Sequence, residues 1–379
     1  MRDNRNAIII AILVLCIIIM MMTIVASASF ERGLSARSAT LYEPVTETFV
    51  FEKDADRRMP MASTTKIMTA LVAIESCDIK EEVQIPKEVV GIEGSSLYLL
   101  EGDVLTVEDL LYSLLLQSAN DAAVALALKV SGDIASFTEL MNNRAHDMGL
   151  FNTHFENPHG LHSENHYTTA HDLAIIAANA LKNPIFKKIA STYKYTFMLS
   201  GKSRTVVNHN KLLRSYDGAI GVKTGFTKNS GRCLVSAAER DGVTMIAVTL
   251  NAPDDWCDHT ALLDYGFDSY EAVPLSEITD TEFRIGVMDS DTETVAATIQ
   301  NASEIKLIRK RGGEDFSARV DIKPYAVAPI MKGDKLGEIV ITYGSSEYAR
   351  ADIVASCSVK QRNKTKKHIF SDLFNTREN

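Results

Sequence analysis

Ala62-Ser63-Thr64-Thr65-Lys66-Ile67-Met68-Thr69-Ala70 is the stretch on which the reading of this chain turns. From Thr64 to about Cys77, Ile67, Ala70, Leu71 and Ile74 recur at helical spacing and form one apolar stripe. Ser63 and Lys66 stand three apart at the start of that helix, so their side chains share a face and the amine can take the hydroxyl proton. Lysine does this only as the neutral amine. Partial burial beside a second cation and a helix N-terminus disfavours the ammonium and supplies that condition. Alone, S-x-x-K is a weak signal, because an N-cap serine followed by a solvated lysine has the same letters.

Two further triplets lie downstream. Ser118-Ala119-Asn120 separates a Leu-rich helix from an all-apolar one; a hydroxyl there can relay a proton to a leaving amine, and the Asn amide can hold a substrate backbone. Taken alone it is a polar turn between helices. Lys223-Thr224-Gly225 follows Ile220-Gly221-Val222 and precedes a strand from Cys233. A cation, a hydroxyl and a residue without a side chain on a strand edge suit an extended peptide that ends in a carboxylate.

The surroundings read as a mixed α/β domain. Ala39–Tyr42 and Thr48–Phe51 form a hairpin opened by Glu43-Pro44. The Leu-rich helix opens at Thr106 with Glu108 and Asp109 in its first turn, and the helix from Asp121 to about Val130 is apolar on every side and therefore buried. Cys233–Ala238 and Val243–Leu250 are strands joined by Arg240-Asp241-Gly242. From about residue 275 the pattern becomes short strands (Thr294–Ile299, Ile305–Ile308, Gly337–Tyr343) between charged turns, which predicts a small all-β second domain.

In order, the three triplets match the S-x-x-K, S-x-N and K-T-G set of penicillin-binding proteins and class A β-lactamases. Residues 35–270 resemble the D-alanyl-D-alanine carboxypeptidase family of low-molecular-mass penicillin-binding proteins, through Asn157-Pro158-His159-Gly160-Leu161 and Thr169-Ala170-His171-Asp172-Leu173 as well. Ala328–Gly333 resembles a motif of that family's C-terminal β domain. Asn251–Trp256 with His259 is similar to members from spore-forming Gram-positive bacteria, which raises a role in spore formation. The resemblance implies a helical cluster on a five-stranded antiparallel sheet, with the active site between them. It implies that Ser63 forms an acyl-enzyme, Lys66 is the base and Ser118 shuttles the proton. Asn120 would bind the substrate amide, Lys223 and Thr224 the terminal carboxylate, and the N–H groups of Ser63 and Phe226, after Gly225, would form the oxyanion hole. The substrate implied is the D-Ala-D-Ala end of a peptidoglycan pentapeptide, with β-lactams as covalent inhibitors. Phe226 stands where the family often has His, and His171 where it often has Arg, which weakens a loop contact around Asp172.

The expected layout is a leader at 1–28, the catalytic domain at 34–270, the β domain at 275–358 and a tail at 360–379. Arg2 and Arg5, the uncharged run Ala7–Val25 and Ala26-Ser27-Ala28 read as an export signal. The run also reaches bilayer-spanning length, so an uncleaved anchor is the other reading. Six basic residues from Lys360 to His368 before Ile369, Phe370, Leu373 and Phe374 read as a contact with a membrane surface, or else as a frayed terminus. A net charge of −9 argues against nucleic acid as a partner. Cys77, Cys233, Cys257 and Cys357 read as buried or semi-buried free thiols. His154, His159, His162, His166 and His171 read as a surface loop above the active-site mouth; a serine–lysine mechanism needs no metal or other cofactor. Two rivals stand. A β-lactamase would need an activating Glu, and Glu139 and Glu156 lack the E-x-x-L-N pattern. A D,D-endopeptidase or transpeptidase would share the acyl-enzyme, and a non-catalytic peptidoglycan-binding protein is the reading from another class.

Overall fold

Leu110, Leu111, Leu114 and Leu115 are each fully buried, and each such side chain contributes roughly 1.5–3 kcal/mol by leaving water. They belong to α2, one of eight helices seen in the first unit of the computed structural model, which describes residues 33–362. The leader reading, and the tail reading from Asn363 onward, lie outside the described residues. The helices are α1 (Lys66–Ser76), α2 (Val107–Leu116), α3 (Asn120–Ser131), α4 (Ile134–Asp147), α5 (Ala170–Lys182), α6 (Pro184–Ser191), α7 (Leu212–Ser215) and α8 (Asp255–Ser269). The strands are β1 (Ser38–Glu43), β2 (Thr48–Lys53), β3 (Glu82–Gln84), β4 (Val104–Thr106), β5 (Lys194–Leu199), β6 (Lys202–Val207), β7 (Ala219–Thr227), β8 (Gly231–Arg240) and β9 (Val243–Leu250). Local signals set the boundaries. Thr106 and Asp109 close a reciprocal capping box at α2, Thr169 caps α5, and Gly132 ends α3 in a left-handed turn.

The main sheet is antiparallel with order β2-β1-β9-β8-β7. Alternation sends Ile246, Val248 and Leu250 into the core shared with α1–α6, while Met245 and Leu41 face α8. There Gly266 is required, since a Cβ would come within 2.9 Å of both side chains. Burial on both faces explains why β8 and β9 are mostly apolar and show no strict polar–apolar alternation. The all-apolar helix is α3, buried from Asn120 through Ala127.

The chain divides after Ser269, and Tyr270 onward forms a second unit. Its six-stranded sheet is built on the hairpin Lys335–Tyr343 and Ser346–Ala355, with Ile339, Ile341 and Ile353 at the centre of a separate apolar core. Thr294–Ile299 is a strand as expected. The strand expected at Ile305–Ile308 instead runs Leu307–Lys310, because left-handed Asn301 opens a short 3-10 turn over Ala302–Glu304. The thiols also depart from expectation: Cys233 is buried and Cys77 half-buried, but Cys257 and Cys357 are exposed.

Candidate active site

Ser63 does not cap α1. Ala62–Thr65 forms a 3-10 turn ahead of it, with Ala62 at φ 47°, and α1 begins at Lys66. The turn is held by the Thr64 hydroxyl donating to the Met61 carbonyl (2.6 Å) and the Thr65 hydroxyl to that of Ala62 (2.8 Å). The spacing of three still brings the side chains together, with Lys66 Nζ 3.0 Å from Ser63 Oγ.

Lys66 has no exposed surface and meets two further oxygens, Asn120 Oδ1 at 2.7 Å and the His159 carbonyl at 2.5 Å. An ammonium donates to all three. A neutral amine donates to the two carbonyl oxygens, and the third contact reverses, the Ser63 hydroxyl donating to the nitrogen lone pair. Burial, then the Lys223 cation, hold the Lys66 amine well below the usual lysine range, with Asp121 opposing. Lys223, also buried, lies on β7 with Nζ donating to the Thr224 carbonyl at 2.9 Å, and burial pushes its pKa down to about 7.

β7 is the edge strand, bonded to β8 along one side, and the Ser63 turn sits against it. Gly225 permits this approach: a Cβ there would lie 3.1 Å from the Ser63 amide nitrogen and 3.2 Å from the Met61 carbonyl. Thr224 is half-buried, while Phe226, the next residue along, is 65% exposed. On the helical side, buried Ser118 holds a left-handed backbone at φ 64°, a conformation costing roughly 1–3 kcal/mol that persists where surroundings enforce it. Asn120, at the first turn of α3, donates from Nδ2 to the Glu93 carbonyl (2.6 Å) and from its backbone to that of Ser95 (2.7 Å). Ser63, Lys66 and Asn120 thus form one hydrogen-bonded cluster; Lys223, Thr224, Gly225 and Phe226 line the strand beside it.

The histidine stretch is no surface loop. His166 is buried and accepts the Glu156 amide at Nδ1 (3.0 Å), which leaves its proton on Nε2, facing Thr65 Oγ1 at 2.7 Å. Burial lowers its pKa to about 4. His159 accepts the Leu161 amide at Nδ1, and burial, then Lys66, lower it to about 3. Gly160 is obligatory here: at φ 89°, a Cβ would sit 1.9 Å from the Ala62 carbonyl oxygen. The loop is therefore a wall of the site. His154 is half-buried at its rim; exposed His162 contacts Asn229, and His171 stacks on Phe49 at 3.9 Å. His171 reaches Asp172 at only 3.6 Å, and the Asp172 carboxylate takes hydrogen bonds from Asn152 and Thr153. Glu156 is occupied within its own loop by Ser163 and Asn165, and Glu139 is exposed on α4.

Sequence reasoning missed the Thr65–His166 contact, the His159 carbonyl and Asp121. The Asp121 carboxylate accepts from Ser96 Oγ (2.6 Å) and from the amides of Leu97 (3.1 Å) and Leu99 (3.2 Å), fastening a second loop beside Asn120. An Asp in the first helical turn was the one available signal, and it points equally to the helix dipole.

A helical cluster on a five-stranded antiparallel sheet, with a serine turn at the free edge strand, is the architecture of the DD-peptidases and penicillin-binding proteins. The crystal structure of the Streptomyces K15 DD-transpeptidase is 38% identical, with a TM-score of 0.59 over 62% of this chain and 97% of that one. Penicillin-binding protein 5 from Haemophilus influenzae is 26% identical, with a TM-score of 0.63 over 86% of this chain and 98% of that one. The family model for D-alanyl-D-alanine carboxypeptidases matches residues 24–254. The D-alanyl-D-alanine carboxypeptidase DacF of Bacillus subtilis is 32% identical over 342 residues, 87% of each chain. This chain belongs to the D-alanyl-D-alanine carboxypeptidase family.

Proposed function

We propose that the protein is a serine D-Ala-D-Ala carboxypeptidase of cell-wall metabolism that removes the terminal D-alanine of peptidoglycan pentapeptides and is acylated by penicillins. The observation that carries this reading is the Lys66 amine, buried against two carbonyl acceptors so that its lone pair falls to Ser63. Ser63 Oγ attacks the carbonyl of the penultimate D-alanine as its proton passes to Lys66. The N–H groups of Ser63 and Phe226 receive the oxyanion. The C–N bond then breaks, the proton reaches the departing D-alanine amine through Ser118, and an ester on Ser63 remains. Water, activated by Lys66, cleaves that ester and restores both residues. Asn120 steadies the acyl-side amide with its remaining Nδ2 hydrogen, while Lys223 and Thr224 hold the terminal carboxylate.

Export through the N-terminal signal and attachment to a membrane surface through the basic tail belong to the same reading, supported by the sequence pattern alone. No helix among the described residues is long and apolar enough to cross a membrane. The deciding experiment is mass analysis of a pentapeptide muropeptide incubated with the protein. Loss of one alanyl residue is expected, blocked by prior acylation of Ser63 with penicillin. An unchanged pentapeptide overturns the reading, and cross-linked product would instead assign a transpeptidase.

A further inference from the structure

Ala62 stands immediately before the nucleophile with a left-handed backbone, φ 47°. An alanine gains nothing locally from that conformation, so contacts around it must enforce it. Its carbonyl oxygen accepts the Thr65 hydroxyl at 2.8 Å, and the Thr65 oxygen in turn meets Nε2 of His166 at 2.7 Å. Thr65 and His166 are both buried, so water does not compete for these bonds. The direction of the chain is set at its far end. His166 Nδ1 accepts the Glu156 amide at 3.0 Å, and burial, which lowers the imidazole pKa to about 4, keeps the ring neutral near neutral pH. Its single proton is therefore on Nε2 and donates to Thr65 Oγ1, and the one hydroxyl proton of Thr65 points onward to Ala62.

The peptide group that carries this carbonyl also carries the Ser63 N–H. It is planar and trans, so its oxygen and its hydrogen point in opposite directions. Two glycines mark the same orientation. A Cβ at Gly160 would fall 1.9 Å from the Ala62 oxygen, on the side of the 157–160 loop, whereas a Cβ at Gly225 would fall 3.1 Å from the Ser63 nitrogen, on the side of β7. Fixing the carbonyl against the loop therefore fixes the N–H toward the edge strand.

We infer that His166, acting through Thr65, is a positioning residue for the Ser63 N–H of the oxyanion hole: it locks the Ala62–Ser63 peptide plane so that this donor is aimed before the substrate arrives. The inference rests on the carboxypeptidase reading, in which that N–H receives the oxyanion, and adds to it a side chain that touches neither substrate nor nucleophile. A donor held in place stabilises charge as it develops, without reorganising at the moment of reaction. Loosening the plane therefore slows the chemical step and leaves ground-state binding nearly as it was.

The test uses the whole protein with a peptidoglycan pentapeptide and a labelled penicillin, well below the melting temperature of each variant. In His166→Asn the shorter amide reaches the Nδ1 position but not Thr65. That variant and Thr65→Val should each lower kcat and the rate of penicillin acylation roughly ten- to a hundredfold, with KM within about threefold of wild type. The conservative variants should stay within about threefold in rate, His166→Gln because its amide N–H reaches the Nε2 position and Thr65→Ser because it keeps the hydroxyl. Since the two residues act as one chain, His166→Asn combined with Thr65→Val should be no slower than the slower single variant. Should Thr65→Val fail to fold, the contrast of Asn with Gln at position 166 decides alone. Wild-type rates in His166→Asn, losses confined to KM, or losses that multiply in the double variant would overturn the inference. A wild-type protein that neither releases D-alanine nor takes up penicillin would instead overturn the carboxypeptidase reading itself.

Discussion

The two units differ in what they bury. The first encloses Lys66, Lys223, Glu43, Asp121, Asp172, Asp255, Asp258, His166 and His259, whereas the only buried polar residue among the described residues of the second is Ser290. Charges of the second unit sit at its surface in small ion-pair groups, Arg309 with Glu271 and Asp315, and Arg350 with Glu338 and Glu347. Desolvating a charge costs several kcal/mol unless partners compensate, so an apolar core with solvated charges is the more stable design. The first unit departs from that design around Ser63. Two buried lysines there have been left without a carboxylate within hydrogen-bonding reach, an arrangement that depresses their basicity instead of stabilising the fold.

The sharpest way to break this comparison is to remove the chemistry from the first unit. Ser63→Ala should abolish penicillin labelling and lower kcat/KM on order of 10⁴- to 10⁶-fold, with Tm nearly unchanged. Labelling that persists would remove Ser63 from its role. Lys223→Ala is expected to reduce kcat/KM by roughly ten- to a thousandfold and to erode the preference for a free carboxylate over its amide. Equal cleavage of free-acid and amidated pentapeptide by wild type would exclude the carboxylate contact.

Acid stability sharpens the contrast further. His259 is fully buried between the Ser236 and Thr249 hydroxyls, and burial lowers its pKa to about 3; His159 and His166 lie near 3 and 4. Each is neutral in the fold, while the unfolded chain takes up the proton near pH 6.5. Stability is therefore full above about pH 6.5 and falls as pH drops toward 4, by roughly 1.4 kcal/mol per histidine per pH unit. The described part of the second unit contains no histidine. Chemical denaturation of the whole protein between pH 7 and 4.5, followed by hydrogen exchange, should show the first unit losing protection and the second keeping it. Parallel losses would dissolve the distinction. The smallest effect belongs to the surface: Arg350→Ala should move Tm by no more than about 2 °C and leave turnover unchanged.

Much of the site was legible because its letters are local. Ser63 and Lys66 fall within one turn, Thr106 and Asp109 announce their own cap, and Arg240-Asp241-Gly242 marks a hairpin. Other parts depend on chain path. Thr65 and His166 are 101 residues apart, and no periodicity connects them. Five histidines in a stretch interrupted by Pro158 and Gly160 looked like a loop over the mouth; that His166 is buried and the loop forms a wall follows from Gly160 letting it press on Ala62, which is visible only once the backbone is placed. In the second unit, apolar letters at Ile305 suggested a strand two residues early because a left-handed asparagine is not marked by hydrophobicity.

The carbonyl of His159 has a consequence for how such an enzyme can change. It is the shortest contact of the Lys66 amine, yet it belongs to the backbone, so replacing the imidazole leaves it in place. A survey that exchanges side chains one at a time would score position 159 by its ring and never register the oxygen. Heritable variation reaches that oxygen only by bending the main chain, and the neighbouring Gly160 leaves little latitude for doing so. Selection by β-lactams can remodel the rim of the cleft freely while this contact of the Lys66 amine stays beyond the reach of point mutation.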